Sequence, residues 1–179
     1  MRAIDVRDLL EQPGASRTVH VDERVPGLQT ELAAVPEDSP LEGDLVLESV
    51  VEGIYVHGRV AGTMRMRCAR CLKEFDVPFD VAMDELFARA PGPDEEYALD
   101  PDLTLDPEPM VRDAVVLEMP FSPLHAPDCK GLCPICGGDR NLGECPGHEE
   151  SDPRWAALAL LDLNDLVVTG DEDPTRTTD

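Results

Sequence analysis

The chain has 179 residues, with 15 basic against 38 acidic side chains and a formal charge of −23. So large a negative excess repels polyanions over most of the surface; it excludes general nucleic-acid binding and favours basic partners. Aromatic residues make up only 4% and prolines number 17, so one ordinary domain supported by metal-stapled elements is expected in place of a large aromatic core.

No run approaches the roughly 20 apolar residues of a membrane span, and residues 1–10 lack the apolar stretch of a signal peptide. A cytoplasmic protein is expected, with no membrane partner. In that reducing compartment, cysteines spaced C-x-x-C are metal ligands more often than disulfides.

In chain order, Leu9 and Leu10 before Pro13-Gly14 predict a short strand or a single helical turn. Thr18–Val21 and Leu28–Ala34 are expected as strands, with His20 a surface residue of the first. Leu41 to Glu52 predicts a strand broken at Glu52-Gly53. The next stretch alternates strictly: Ile54, Val56, Val60, Met64, Met66 and Cys68 share one parity, while Tyr55, His57, Arg59, Arg65 and Arg67 share the other. After the Cys68-x-x-Cys71 turn the alternation resumes as Phe75, Val77, Phe79, Val81 and Met83 inward against Glu74, Asp76 and Asp80 outward. These two runs form a long hairpin arm. Facing inward residues across it gives pairs whose numbers sum to 141, such as Met66 with Phe75 and Arg65 with Asp76.

Residues 90–108 are rich in proline and acid, and predict a mobile linker with a short strand at Asp102–Leu105. A helix is expected from Glu108, with Pro109 at its first position, to Pro120; Val111, Ala114, Val115 and Met119 lie on one side to cover the sheet. Beyond the cysteine cluster, Asp152-Pro153 predicts a second helix, carrying Trp155 as a packing anchor. The tail 169–179 is acidic and expected to be disordered. The predicted fold is α+β: an antiparallel, partly barrel-like sheet with a long hairpin arm, covered by one or two short helices, plus a C-terminal zinc knuckle. Residues 1–89 form the β domain, 90–108 the linker, and 109–168 the helix, knuckle and C-terminal helix packing back on the sheet.

Eight candidate ligands occur: Cys68, Cys71, His125, Cys129, Cys133, Cys136, Cys145 and His148. Eight is the number two closed tetrahedral zinc sites need. One pairing joins Cys68 and Cys71 with His125 and Cys129, and Cys133 and Cys136 with Cys145 and His148. A rival takes Cys129, Cys133, Cys136 and Cys145 as a single all-thiolate site, leaving Cys68 and Cys71 as a reduced dithiol; a third possibility is no metal. Sulfur-rich sets are structural, so no catalytic zinc is expected. A redox C-x-x-C wants its first thiolate at a helix N-terminus, whereas Cys68 ends a strand.

Between Arg59 and Lys73 there are five basic residues, Arg59, Arg65, Arg67, Arg70 and Lys73, and no acidic one. They are the one candidate patch for RNA phosphate. The competing reading pairs Arg65 and Arg67 with Asp76 and Glu74 across the hairpin.

Cys68-Ala69-Arg70-Cys71-Leu72 followed by Phe75, then Gly131-Leu132-Cys133-Pro134-Ile135-Cys136-Gly137, then Asp152-Pro153-Arg154-Trp155-Ala156 resemble, in that order, the YceD family of bacterial and plastid proteins. The resemblance implies a non-enzymatic ribosome-biogenesis factor that supports accumulation of the large-subunit (23S) ribosomal RNA. The implied partner is a basic large-subunit ribosomal protein, precursor rRNA, or both, with no small-molecule substrate. Family members often carry cysteine where this chain has His125 and near His148, which fits both histidines as ligands. The chain departs from the family at Gly138–Leu142, which puts the local turn in question. The alternative class is an enzyme, a thiol redox or RNA-processing factor using Cys68 and Cys71.

Overall fold

A computed structural model describes residues 1–92, 97–148 and 154. The second helix expected from Asp152, with Trp155, and the tail 169–179 lie outside the described residues. The chain opens with β1 (Ile4–Asp5) and a single helical turn, α1 (Arg7–Leu10), so both readings of that stretch are realised. Strands β2 (Ser16–Glu23), β3 (Ala33–Ala34), β4 (Leu41–Ser49), β5 (Gly53–Arg67) and β6 (Glu74–Ala88) follow. After them come β7 (Tyr97–Ala98), β8 (Thr104–Leu105) and helix α2 (Glu108–Glu118).

The main sheet runs β2-β4-β5-β6-β7, with β3 added to the end of β5, and β1 pairs separately with β8. The order does not return on itself. The sheet is open, which corrects the expectation of a partly barrel-like closure: β2 stays an edge, and β7 covers only two residues of β6. All main pairings are antiparallel except the short parallel β6–β7 contact.

The hairpin arm has the register its alternation predicts. Met66 faces Phe75, Met64 faces Val77, and the pairing continues without a bulge from Arg67–Glu74 to Gly53–Ala88. Period-2 burial fixes such a register because a one-residue slip would turn every apolar side chain to water. Leu28–Ala34 is not a strand: the Val35 N–H donates to the Leu28 carbonyl at 2.9 Å and the Thr30 N–H to Ala33 at 2.7 Å, closing a tight turn that leaves only β3 extended. Its single-residue bridge, Gln29 to Ala34, folds the segment back on itself.

The inner face of the sheet is covered by α1 and α2. Leu41, Leu45 and Leu47 of β4, Ile54, Val56, Val60 and Met64 of β5, and Phe87 of β6 pack in one core with Leu9, Met110, Val111 and Val115. Pro107 precedes the helix and Pro109 lies in its first turn, where a missing N–H costs nothing. The segment expected as a mobile linker is anchored where it is described: Tyr97, Leu99 and Leu105 are buried in this core, and the Tyr97 hydroxyl donates to Asp113 of α2 at 2.8 Å. The outer face of the sheet meets solvent. There His20 hydrogen-bonds Asp44 at 3.0 Å, a contact that raises the imidazole pKa above its ordinary value. Among the described residues no helix is long and apolar enough to cross a membrane.

Candidate metal centre

The hairpin arm delivers Cys68 and Cys71 to its tip, and the chain after α2 brings the other ligands to meet them. Extended residues past Pro120 reach the arm where the Ala69 N–H donates to the Pro123 carbonyl at 2.8 Å. The next turn locks on through the Leu132 N–H to the Arg70 carbonyl at 3.0 Å and the Arg70 guanidinium to the Cys129 carbonyl at 2.9 Å. These backbone contacts bring together side chains 61 positions apart in sequence.

Two ligand sets result. Cys68, Cys71, His125 and Cys129 have their ligand atoms within 4.8 Å of one another, and so do Cys133, Cys136, Cys145 and His148. The structure therefore groups the eight candidates as the two-centre pairing requires, and separates the four cysteines of the rival all-thiolate set. In the first centre the Cys68 and Cys129 sulfurs are 3.8 Å apart, and the Cys71 sulfur is 3.3 Å from His125 Nδ1. A tetrahedron with Zn–S bonds of about 2.3 Å has an S–S edge of about 3.8 Å, whereas a disulfide bond is about 2.05 Å long. All six cysteines are free. Residues and spacing fit structural zinc: Cys68, Cys71, His125 and Cys129 would hold one ion and Cys133, Cys136, Cys145 and His148 another. The first ion would cross-link distant chain segments, and the second would close the 133–148 loop on itself.

The two C-x-x-C turns are built alike. The Leu72 N–H donates to the Cys68 carbonyl at 2.9 Å and the Cys68 N–H to Lys73 at 2.9 Å; the Gly137 N–H donates to Cys133 at 2.8 Å and the Cys133 N–H to Gly138 at 2.9 Å. Both turns then need a left-handed backbone after the second cysteine, φ 61° at Leu72 and 72° at Gly137. Such a turn aims backbone N–H groups at the first sulfur. Burial pushes the Cys68 thiol up, but hydrogen bonds from the His125 ring and from the backbone of His125, Cys71 and Arg70 outweigh it and bring its pKa to about 5. In the second turn the Cys136 N–H, helped against burial by Ile135, brings Cys133 to about 6. Thiolates so favoured are ready metal ligands.

The centres differ in exposure. Cys68, Cys71 and Cys129 are buried with Phe75, Leu124 and Leu132 packed on them, whereas Cys136 and His148 are exposed. Cys68 is 0% exposed, so no outside disulfide can reach it, and this weighs against the thiol redox alternative.

Asn141 escaped the sequence reading. Its side-chain NH2 lies 3.6 Å from the Cys129 sulfur, and its oxygen accepts the Lys130 N–H at 2.8 Å. It thus ties the loop of the second centre to a ligand of the first. The only signal in sequence was the departure from the family pattern at Gly138–Leu142; the turn there is closed by the Asp139 carboxylate, which accepts from the Asn141 backbone at 2.7 Å.

The four arginines and one lysine of the basic stretch fall into two groups. Arg59 is paired with Asp80 at 2.8 Å, Arg65 with Asp76 at 3.0 Å, and Arg70 is spent on the Cys129 carbonyl. Arg67 faces Glu74 in the register but makes no ion pair with it, and Arg67 and Lys73 are exposed without an acidic partner among the described residues.

Residues 56–162 match the family described as "Large ribosomal RNA subunit accumulation protein YceD". The chain is 40% identical over 167 residues to "Uncharacterized protein Rv2926c" of Mycobacterium tuberculosis, covering 88% of this chain and 80% of that one. It is 31% identical over 181 residues to "Uncharacterized protein ML1660" of Mycobacterium leprae, with 96% and 82% covered. Against "Uncharacterized protein YlbN" of Bacillus subtilis it is 30% identical over 107 residues, with 57% and 62% covered. No solved structure matches. With more than half of its length inside the matched region, including both C-x-x-C turns and the strands that carry the first, the chain belongs to the YceD family.

Proposed function

We propose that this protein is a non-enzymatic, cytoplasmic ribosome-biogenesis factor that supports accumulation of large-subunit ribosomal RNA. Its acidic surface engages a basic large-subunit ribosomal protein, and the metal-bearing tip of the hairpin arm touches precursor rRNA. The family match carries the reading, because accumulation of that RNA is what the family is described by. The charge supports the protein contact: at −23 the chain attracts Lys- and Arg-rich surfaces and suits shielding them from premature RNA contact. Support for the RNA contact comes from the tip, where Arg67 and Lys73 carry charge not already neutralised by a carboxylate among the described residues.

Purification from cells at moderate salt is expected to recover precursor large subunits enriched in one ribosomal protein; recovery of neither sinks the reading. Replacing Arg67 and Lys73 together by Glu is expected to weaken the RNA contact and to lower the slope of log affinity against log salt by about 1.4 to 1.8, since each phosphate contact contributes about 0.7 to 0.9. An unchanged slope would move the RNA contact away from the tip.

A further inference from the structure

Among the described residues the far side of β6 is an open sheet edge with a groove beside it. The Arg89 N–H bonds Glu52 at 2.9 Å on the β5 side, whereas the Ala88 carbonyl accepts from Leu99 at 3.0 Å on the other. Backbone groups alternate along a strand, and the pairing with β5 has no bulge, so every even residue of β6 turns its N–H and carbonyl away from β5. Strand β7 covers only Phe87 and Ala88. Ala82 and Asp84 therefore present backbone donors and acceptors that no strand among the described residues takes up. Pro78 has the same parity: its missing N–H falls on the open side, where proline is tolerated, and it bars an added strand from going further toward the arm tip.

Helix α2 forms the other wall. A groove of about 350 Å³ runs between it and β6, lined by Ala82, Asp84, Met110, Asp113, Ala114 and Leu117. Leu117 is 85% exposed at the groove mouth. Both walls carry carboxylates: Asp84 accepts a hydrogen bond from the Tyr55 hydroxyl and Asp113 one from the Tyr97 hydroxyl.

We propose that the β6 edge over residues 80–84 receives an extended, Lys/Arg-rich segment of a protein partner as an added strand lying in this groove. The pleat dictates what that segment looks like: basic residues on the solvent face beside Asp84, alternating with aliphatic residues that face Leu117 and Ala114. Main-chain bonds to Ala82 and Asp84 supply the docking geometry, and the charge of both walls selects a basic segment. The inference rests on the reading of this chain as a binder of a basic ribosomal protein and gives that contact a location.

The test uses the full zinc-loaded chain and a twelve-residue peptide of alternating lysine and valine, followed by fluorescence anisotropy and by amide hydrogen exchange. In the free protein the Ala82 and Asp84 amides are expected to exchange faster than those of Val81 and Met83, and the peptide is expected to protect them. Ala82→Pro repeats the arrangement of Pro78, keeps the β5 pairing and removes one donor, so peptide affinity is expected to fall at least tenfold. Leu117→Lys, on an already exposed position, is expected to do the same without touching the sheet. A matching glutamate–valine peptide should not bind. The proposal is overturned by Ala82 and Asp84 amides already protected in the free chain, or by peptide binding that neither substitution weakens. Precursor large subunits are scored alongside: their absence from the purified wild-type chain sinks the ribosomal reading, whereas their presence with an edge the peptide does not protect sinks the groove alone.

Discussion

Leu72 occupies a backbone conformation that glycine supplies at the equivalent place in the second turn, φ 61° against 72° at Gly137. A left-handed backbone costs a residue with a Cβ about 1–2 kcal/mol, and the Leu72 side chain, half exposed at 52%, recovers little of it by packing. Leu72→Gly is therefore expected to stabilise the first centre by about 0.5–1 kcal/mol, after allowing for the greater entropy that glycine loses on folding. The measurement is the urea midpoint of the zinc-loaded chain, and no rise would mean the turn is not strained. The two candidate C-x-x-C pairs were legible because that spacing fixes two sulfurs within one turn whatever the fold. Asn141 was not, since its approach to Cys129 depends on two loops meeting. Nor could sequence say which of the five basic residues stay uncommitted: Arg59 and Arg67 share a parity on one strand, yet only Arg59 meets a carboxylate.

Among the elements, β4 and β5 approach so closely at Gly58 that a Cβ there would lie 2.2 Å from the Asp44 carbonyl oxygen. Both groups are backbone and neither can swing aside, so the clash would force the central pair of the sheet apart. Gly58→Ala is expected to cost about 1–3 kcal/mol or more, as overpacking does, seen as a lower thermal midpoint; a midpoint unchanged within error would contradict the close approach. The hairpin arm was readable because apolar residues keep one parity from Ile54 to Met66 and again from Phe75 to Met83, most of both fifteen-residue strands. Leu28–Ala34 defeated the same reasoning, since a short apolar run does not distinguish a strand from a turn that buries its ends. The segment 90–108 was judged by its prolines and acids; Tyr97, Leu99 and Leu105, which interrupt them, are buried and anchor it where it is described. Barrel closure depends on how far the sheet curls, which no local pattern encodes.

For the molecule as a whole, two centres of unequal exposure predict two ions per chain that leave in two steps. Elemental analysis is expected to give two zinc ions, and a chelator is expected to strip the exposed Cys136 and His148 centre before the buried Cys68 and Cys129 one. Release in a single step, or one ion per chain, would refute this ordering. Losing the first ion should also free residues 121–148 from the arm, visible as faster amide exchange at Ala69 and Leu132, whose hydrogen bonds bridge the two parts. The same long reach bears on synthesis. The second centre spans residues 133–148 and can assemble as soon as that stretch emerges, but the first must wait for the chain from residue 68 to residue 129. At about 5–20 residues per second, the paired thiols of the newborn arm stand without their partners for about 3–12 s. During that interval they are open to any soft metal or oxidant in the cell, so the vulnerable moment of this protein comes before its fold is complete.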